Sequence, residues 1–305
     1  MAKIYHNPPD NLSEIKQYAV SDNVDQIIGA KTIIFYDACS FRFHMNVGNL
    51  SPIVEFLKSL DGTVVLTITV LLELSSRTGK LEEKELAYLS YLKDNGIKIA
   101  VMFEEEFYDV LRLCFTDTER VNGFLSEAVK ICVPSGSLLK ENIIREESLK
   151  KQLYQNPGSN TLLAKTFFDF ARNGKTESDN LGEIMIVTCM MLLSNIPASD
   201  YRIFAISDDK GAIRLFGKMR NRLRDSSREM AVISTPALCW HIWIKKNEID
   251  VKRKDVLDIL SKTTRGGQIK VLCSAMYEMN PVEKNFTAEE LSEKICDSKG
   301  FRVYS

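Results

Sequence analysis

Five short apolar runs recur along the first 240 positions, and each is bounded by polar or turn-forming residues. They are rich in Val, Ile and Phe, and unbroken apolarity over five or six residues is typical of a strand covered on both faces. The predicted strands are KTIIFY (31–36), TVVLTI (63–68), IKIAVMF (97–103), YRIFAIS (201–207) and MAVIS (230–234).

Amphipathic stretches that predict helices separate these strands. The clearest are LSPIVEFLKSL (50–60), EEKELAYLSYLKDNG (82–96) and GEIMIVTCMMLLSN (182–195). Alternating strands and helices predict a parallel sheet with helices on both faces. We therefore expect an α/β protein, a three-layer α/β/α fold around a central parallel sheet.

The pattern also divides the chain. Residues 1–30 are an N-terminal extension, and residues 31–240 form the expected α/β domain. Residues 104–180 interrupt the alternation with about two further helices and the polar loop YQNPGSN, so we interpret them as a helical insertion covering one edge of the site. Residues 241–305, rich in Lys, Glu and Asp, are expected to form a mostly helical C-terminal appendage.

Composition narrows the class of protein. The chain is 45% hydrophobic and 27% charged, and no apolar run approaches the roughly 20 residues needed to span a bilayer, so we expect a cytoplasmic protein with no membrane partner. Seven cysteines without a CxxC pair do not indicate a disulfide framework. A formal charge of −1 excludes a protein that coats nucleic acid through its overall charge. It is compatible with a local basic patch.

Acidic residues follow the predicted strands or begin the helices after them. In open parallel sheets, ligands bind at the carboxyl ends of the strands, so these acids are the informative ones. Glu73 is expected in the first turn of the helix after the second strand, and the four-residue spacing of Asp179 and Glu183 predicts one helical face. The set is Asp37, Glu73, Asp179, Glu183, Asp208 and Asp209.

Each acid alone has an ordinary structural explanation. Asp179 can cap its helix, Asp208 can initiate a turn, and Glu73 can pair with a neighbouring Lys or Arg. Together they favour a different interpretation, because clustered carboxylates repel one another unless a cation neutralises them. Hard oxygen ligands of this kind suit Mg²⁺ or Mn²⁺.

The order of these motifs resembles that of the PIN-domain nucleases. The segments that carry the resemblance are IIFYDACSF, VVLTITVLLELSS, DNLGEIMIVTCMML, RIFAISDDKGAI and AVISTPALCW, within residues 31–103 and 179–240. The resemblance implies that Asp37, Glu73 and Glu183 are catalytic metal ligands, with Asp209 or Asp208 as the fourth. Ser207 matches a small polar residue that the family often has before the last acid. The chain departs from the pattern where Ala38 and Cys39 intervene before Ser40.

The implied activity is metal-dependent hydrolysis of phosphodiester bonds, most simply by an endoribonuclease. Two metals about 3.5 to 4 Å apart would activate a water and stabilise the leaving 3′ oxygen. A DNA or flap nuclease, and a catalytically inactive PIN-like scaffold that binds RNA or protein, stay open as alternatives. A haloacid-dehalogenase-type phosphatase would need an acid where Cys39 stands, and no phosphate-binding glycine motif supports a nucleotide-binding module.

Positive charge follows the last acids directly, in RLFGKMRNRLRDSSR (214–228). A cationic helix beside the acids predicts phosphate contacts, whereas its ordinary explanation is a solvated helix face. The predicted contacts to nucleic acid are Ser40, Ser207, Arg214, Lys218, Arg220 and Arg224, with Lys165 and Arg172 of the insertion as the next candidates. A protein partner could be a second copy of the chain or an inhibitory or regulatory protein, and the sequence does not choose between them. The biological role likewise stays open between a toxin, phage defence and RNA processing.

Overall fold

The protein is described here by a computed structural model. It describes residues 3–177, 179–197, 201–223, 229–264, 266–275, 278, 280–297 and 300–304. The architecture is α/β, with a central parallel sheet flanked by helices in a three-layer arrangement.

The central sheet has five parallel strands in the order β3-β2-β1-β4-β5. Every residue of the middle strand is buried, as expected for a strand covered on both faces. All five strands predicted from the sequence are confirmed, with no end shifted by more than one residue. The strands are β1 Thr32–Tyr36, β2 Gly62–Thr67, β3 Lys98–Met102, β4 Arg202–Ile206 and β5 Met230–Ile233.

The strand order places a switch point between β1 and β4, because the chain builds outward from β1 first on one side and then on the other. In open parallel sheets such a point leaves a crevice at the carboxyl ends of the two strands. Asp37 and Ser207 follow β1 and β4 directly, and they lie side by side because Tyr36 pairs with Ile206.

Helices cover both faces of the sheet. The N-terminal extension contains α1 Leu12–Ile15 and α2 Asn23–Gly29. The helices of the α/β domain outside the insertion are α3 Ala38–His44, α4 Ser51–Ser59, α5 Ile68–Leu74, α6 Glu83–Asp94, α12 Leu181–Leu193, α13 Lys210–Arg222 and α14 Thr235–Ile244. Helix α12 is buried along most of its length, since it lies in the apolar core. The expectation that Glu73 begins its helix was wrong: α5 starts directly after β2, so Glu73 lies in its last turn.

The insertion contains more helix than the sequence predicted. In place of about two helices, the described residues form α7 Glu104–Cys114, α8 Thr118–Cys132, α9 Leu138–Arg145, α10 Glu147–Lys150 and α11 Leu163–Asn173, with a π-helical turn at Lys151–Gln155. Helices α9 and α10 were missed because each spans only about one or two turns, too little for a clear period.

The C-terminal appendage is not mostly helical, which corrects the prediction. It combines α15 Arg253–Ser261 and α16 Ala288–Asp297 with a three-stranded antiparallel sheet. The strand order is β7-β6-β8, with β6 Ile269–Ser274, β7 Val282–Phe286 and β8 Arg302–Tyr304. Strand β7 reads VEKNF and is exposed at nearly every position, so it lacks the apolar signal that identifies a strand in sequence.

Candidate functional site

Asp37 lies at the carboxyl end of β1, where it caps the N-terminus of α3. One carboxylate oxygen, Oδ1, accepts a hydrogen bond from the Ala38 backbone N–H at 2.8 Å. The other, Oδ2, accepts from the Ser207 hydroxyl at 2.9 Å and from the Cys39 thiol at 2.7 Å. The side chain is 3% exposed. Asp37 is therefore a buried carboxylate held in one orientation by its neighbours.

Two adjacent acids follow β4, and the structure separates their roles. The Asp208 carboxylate accepts hydrogen bonds from the Ser40 hydroxyl at 2.7 Å and from both the backbone N–H and the hydroxyl of Thr235. Asp209 instead caps α13 through the Gly211 backbone N–H, and its charge acts on the other acids of the site. Asp209 is thus the acid whose charge raises the pKa of Asp37 and of Glu183, whereas Asp208 is held by Ser40 and Thr235.

Glu73 reaches the same region from the last turn of α5. Its Oε1 accepts a hydrogen bond from the Lys175 ammonium at 2.8 Å. The carboxylate also lies against α12 at Gly182, where an added Cβ would stand 2.7 Å from the same oxygen. Glycine at position 182 therefore allows Glu73 to approach the first turn of α12.

Glu183 projects from that first turn, and its charge is the least compensated of the four. Its Oε2 atom is buried and has no hydrogen-bond partner among the described residues. Burial raises the pKa of Glu183 to about 8, and the carboxylate of Asp209 is the next cause. Burial, followed by the charge of Glu73, likewise raises the pKa of Asp37 to about 6.

These four side chains, Asp37, Glu73, Glu183 and Asp209, are called the acidic site below. Asp179 is close to it but is held differently. It precedes α12, so Asp179 and Glu183 do not share a helical face as the four-residue spacing predicted. Its carboxylate pairs with the Lys175 ammonium and accepts hydrogen bonds from Thr176 and from the Leu181 N–H. Asp179 therefore anchors Lys175 and the start of α12.

The acidic site has the donor chemistry that Mg²⁺ and Mn²⁺ prefer, namely several carboxylates and an orphaned buried oxygen on Glu183. As the side chains stand, no group of three or more His, Cys, Asp or Glu in the described part of the chain has metal-binding spacing. The residues fit a divalent cation by type and charge, and holding one would need the flexible Glu73 and Glu183 side chains to rotate toward it.

A buried chain of hydrogen bonds supports Asp208 from behind. The His44 ring bonds to the Tyr36 hydroxyl through Nδ1 and to the Thr235 hydroxyl at 2.9 Å through Nε2. The Tyr36 hydroxyl also lies 2.9 Å from that of Tyr88. Burial lowers the pKa of His44 to about 3, so the ring is neutral and can both donate and accept.

The two serines predicted to contact nucleic acid lie behind the acids. Ser40 and Ser207 are both fully buried. The Ser40 hydroxyl donates to the Asp208 carboxylate and accepts from its backbone N–H, while the Ser207 hydroxyl donates to Asp37 and accepts from the Asp209 N–H. Their position corrects the expectation, since a buried hydroxyl that orients an acid is not exposed to a strand.

The predicted basic helix is α13, and its cations are exposed. Arg214, Lys218 and Arg220 lie at exposed positions, and no ion pair within 4 Å joins them to an acid in the described part of the chain. Arg224 and Arg228 lie outside the described residues. The helix therefore carries exposed positive charge directly after Asp209.

Among the basic candidates in the insertion, Lys165 is exposed but Arg172 is fully buried, so Arg172 cannot contact nucleic acid as it stands. The Arg172 guanidinium forms ion pairs with Glu104, at 2.5 Å, and with Glu105, at 2.7 Å. It also pairs with Asp169 in the same helix. These four residues are called the arginine cluster below.

Sequence reasoning missed Lys175, Gly182, His44 and Thr235. The spacing of Lys175 four residues before Asp179 was a readable signal for that ion pair. No local signal links His44 with Thr235, because 191 positions separate them. Gly182 also gave no signal, since its importance comes from a side chain on another helix.

Comparisons with known proteins do not assign a function to this chain, so the acidic site is the basis for proposing one. No family model, no curated protein and no solved structure matches this chain. In the described part of the chain, no helix combines the length and apolarity that crossing a bilayer would require.

Proposed function

We propose that this protein is a metal-dependent nuclease that hydrolyses phosphodiester bonds through the acidic site. The observation that carries the proposal is a set of four carboxylates near the switch point of a parallel sheet whose charges act on one another, one of them with a buried oxygen that has no partner among the described residues. Like charges gathered in a buried crevice are destabilising unless a ligand compensates them, and strongly perturbed acids in a crevice are typical of functional sites.

In this proposal Asp37, Glu73, Glu183 and Asp209 hold Mg²⁺ or Mn²⁺. When bound, the cation supplies positive charge that activates a water for attack on phosphorus and stabilises the leaving 3′ oxygen. Ser207 orients Asp37, and the N–H of Gly211 orients Asp209, so these two carboxylates are preorganised. Glu73 and Glu183 are the adjustable ligands, because they are longer and less fully bonded.

The resemblance to PIN-domain nucleases favours RNA as the substrate, with DNA or a flap structure as the alternative. We further propose a cytoplasmic location, where thiols stay reduced, because the cysteines form no disulfide among the described residues. Cleavage of both RNA and DNA at similar rates would leave the class of reaction intact and change only the substrate.

One observation favours a second function, that of an inactive PIN-like scaffold. The Lys175 ammonium already pairs with Glu73 and Asp179, so part of the negative charge is compensated by the protein itself. Burial alone would lower the pKa of Lys175, but the charge of Glu73 and its other carboxylate contacts raise it overall, so the ammonium is charged. A scaffold would bind RNA or a protein partner without cutting.

The decisive experiment incubates the purified chain with end-labelled single-stranded RNA and DNA in Mn²⁺, Mg²⁺ or EDTA. Asp37→Asn keeps the shape of the side chain but is a much poorer metal ligand. We expect cleavage by the wild type in Mn²⁺ or Mg²⁺ but not in EDTA, and a loss in Asp37→Asn exceeding the roughly 10- to 100-fold typical of changes around a metal ligand. Glu183→Gln should behave in the same way.

Asp169→Asn is the matched control, since it makes the same chemical change in the arginine cluster. It should cut at the wild-type rate. If the wild type binds RNA but does not cut it in any metal, the scaffold function replaces the nuclease. If Asp37→Asn cuts as fast as the wild type, the acidic site is not the catalytic site.

A further inference from the structure

A cleft of about 520 Å³ separates the start of α13 from the small sheet of the C-terminal appendage. That volume is within the range of pockets that hold sizeable ligands. Asp208 lies in the lining of this cleft, and the next residue in the chain, Asp209, belongs to the acidic site. A strand leaving the site along α13 would enter it directly.

The appendage turns one face of its sheet toward this cleft. Paired residues in an antiparallel sheet point to the same side, and Lys270 pairs with Asn285 while Leu272 pairs with Glu283 and Tyr304. All five residues line the cleft. The alternate residues of β6, Ile269 and Val271, also border the cleft but are buried. The cleft face is therefore mainly polar with one exposed aromatic ring, unlike a face that packs onto a core.

Positive charge faces this sheet from α13. Lys210 and Arg214 are one helical turn apart and line the cleft opposite Lys270, and Lys218 continues the row beyond it. The hydrogen bond from Lys270 lowers the pKa of Glu283, and the charges of Lys210 and Arg214 lower it further, so these cations act across the cleft. Among the described residues that line the cleft, three carry positive charge, namely Lys210, Arg214 and Lys270, and two carry negative charge, namely Asp208 and Glu283. The lining therefore has more positive than negative groups.

Aromatic rings are present on both walls. Phe43 lines the cleft from α3 and is half-buried, while Tyr304 lines it from β8 and is 36% exposed. Cations that meet phosphates, combined with exposed rings on which bases can stack, are the features by which proteins hold single-stranded nucleic acid. Duplex would not suit the cleft, since stacking of this kind needs unpaired bases.

We propose that this cleft binds a single-stranded segment of nucleic acid, with the C-terminal sheet as one wall of the channel that leads to the acidic site. The proposal rests on the proposed function for its substrate class. Lys210, Arg214 and Lys270 contact phosphates, and Tyr304 and Phe43 stack on bases. Glu283 pairs with Lys270 at 2.5 Å in the absence of a strand and is displaced from it when a phosphate binds.

The test measures binding of fluorescent single-stranded RNA and DNA of about ten nucleotides, within the usual site sizes for such surfaces. EDTA is present throughout, so binding is measured without cleavage. Lys270→Gln should weaken binding at low salt and lower the slope of log affinity against log salt by about 0.7, as expected for one phosphate contact. Tyr304→Leu should weaken binding by about fivefold or more while leaving that slope unchanged.

Two further variants separate a binding role from structural damage. Lys284 lies on β7, pairs with Val271 and so points to the opposite face, which makes Lys284→Gln the matched control with unchanged affinity and slope. Glu283→Gln should tighten binding, because it removes an acid from the cleft and releases Lys270. Damage to the sheet would not produce tighter binding.

Equal slopes for Lys270→Gln and Lys284→Gln, or no tightening in Glu283→Gln, would overturn the cleft as a binding site even if the wild type cuts RNA in Mn²⁺. Conversely, the expected variant effects in a protein that never cuts would support the cleft and overturn the nuclease function. The RNA and DNA arms identify which strand the cleft prefers. Absence of binding to both strands would overturn the cleft proposal.

Discussion

Two groups of carboxylates lie near the carboxyl end of the central sheet, and they differ in how their charge is compensated. In the arginine cluster, the two carboxylate oxygens of Glu104 accept hydrogen bonds from Arg172 and from the Thr69 backbone N–H, while Glu105 binds both terminal nitrogens of the same guanidinium. In the acidic site, Glu183 has a buried oxygen without such a partner among the described residues.

The difference shows that position at a strand end does not by itself identify a functional acid. Glu104 lies two positions after the end of β3, much as Asp37 lies one position after β1, and it is even more deeply buried. What separates them is the partner. A guanidinium with bidentate geometry satisfies one group, whereas among the described residues the cation paired with the acidic site is the Lys175 ammonium, which contacts Glu73 and not Asp37 or Glu183. An acid with uncompensated charge is the better candidate for a cation ligand.

The largest effect should come from removing the cation of the arginine cluster. Arg172→Met leaves the Glu104 carboxylate buried without its charge partner, and breaking a buried ion pair in this way costs about 3 to 5 kcal/mol. We expect the free energy of unfolding, measured by urea denaturation, to fall by that amount. Lys165→Met, at an exposed position of the same helix, should change it by no more than about 0.5 kcal/mol. Equal effects of the two changes would contradict a structural role for the cluster.

Addition of Mn²⁺ should raise the stability of the protein through the acidic site and not through the arginine cluster. A cation that binds the folded acidic site stabilises the protein by about 2.7 kcal/mol when its concentration is 100 times its dissociation constant. A thermal melt in Mn²⁺ should therefore shift upward for the wild type and for Asp169→Asn, but not for Asp37→Asn. A melt of the wild type that does not respond to Mn²⁺ would remove the metal from the proposal.

The support behind Asp208 should give the protein a distinct dependence on pH. The pKa of His44 is about 3 when folded and about 6.5 when unfolded, so between these values the unfolded chain binds the extra proton and stability is lost as pH falls. From pH 7 to pH 5 this contributes a loss of about 2 kcal/mol. The measurement is urea unfolding at both pH values, comparing the wild type with His44→Asn and with His6→Asn, a change at an exposed histidine.

Only His44→Asn should lose this part of the pH dependence. Comparing it with the wild type at each pH removes the contribution of the other titrating groups, including Asp37 and Glu183. If the two proteins lose the same stability between pH 7 and pH 5, then His44 is not the buried neutral ring described here.

The smallest effect should come from Gly182→Ala. The added methyl would stand 2.7 Å from the Glu73 carboxylate, which lies at the end of a flexible side chain and can rotate away. We expect cleavage to fall about tenfold, as for other changes that misplace a metal ligand, with little loss of stability. Gly123→Ala in α8 is the control, because nothing lies within 4 Å of its added Cβ. It should leave cleavage unchanged and stabilise the helix by about 0.5 to 1 kcal/mol. Equal cleavage by both variants would show that the position of Glu73 does not matter.

The sequence alone was sufficient for the central sheet, because each of its strands is a continuous apolar run with covered faces and therefore has a local signal. It was also sufficient to identify the acids that follow β1 and β4, but not Glu104 after β3. It failed for β7, whose exposed residues carry no apolar period, and for the last-turn position of Glu73, which depends on a helix beginning without a loop after β2.

Only the tertiary structure decided which acids belong together. Asp208 and Asp209 are adjacent in sequence, yet one is bonded to Ser40 and Thr235 while the other lies with Asp37, and nothing local distinguishes them. Arg172 looked like an exposed cation but is buried among carboxylates from α7, more than 60 positions away. The physical reason is that burial and electrostatic compensation depend on partners distant in the chain, whereas strand and helix formation depends mostly on neighbouring residues.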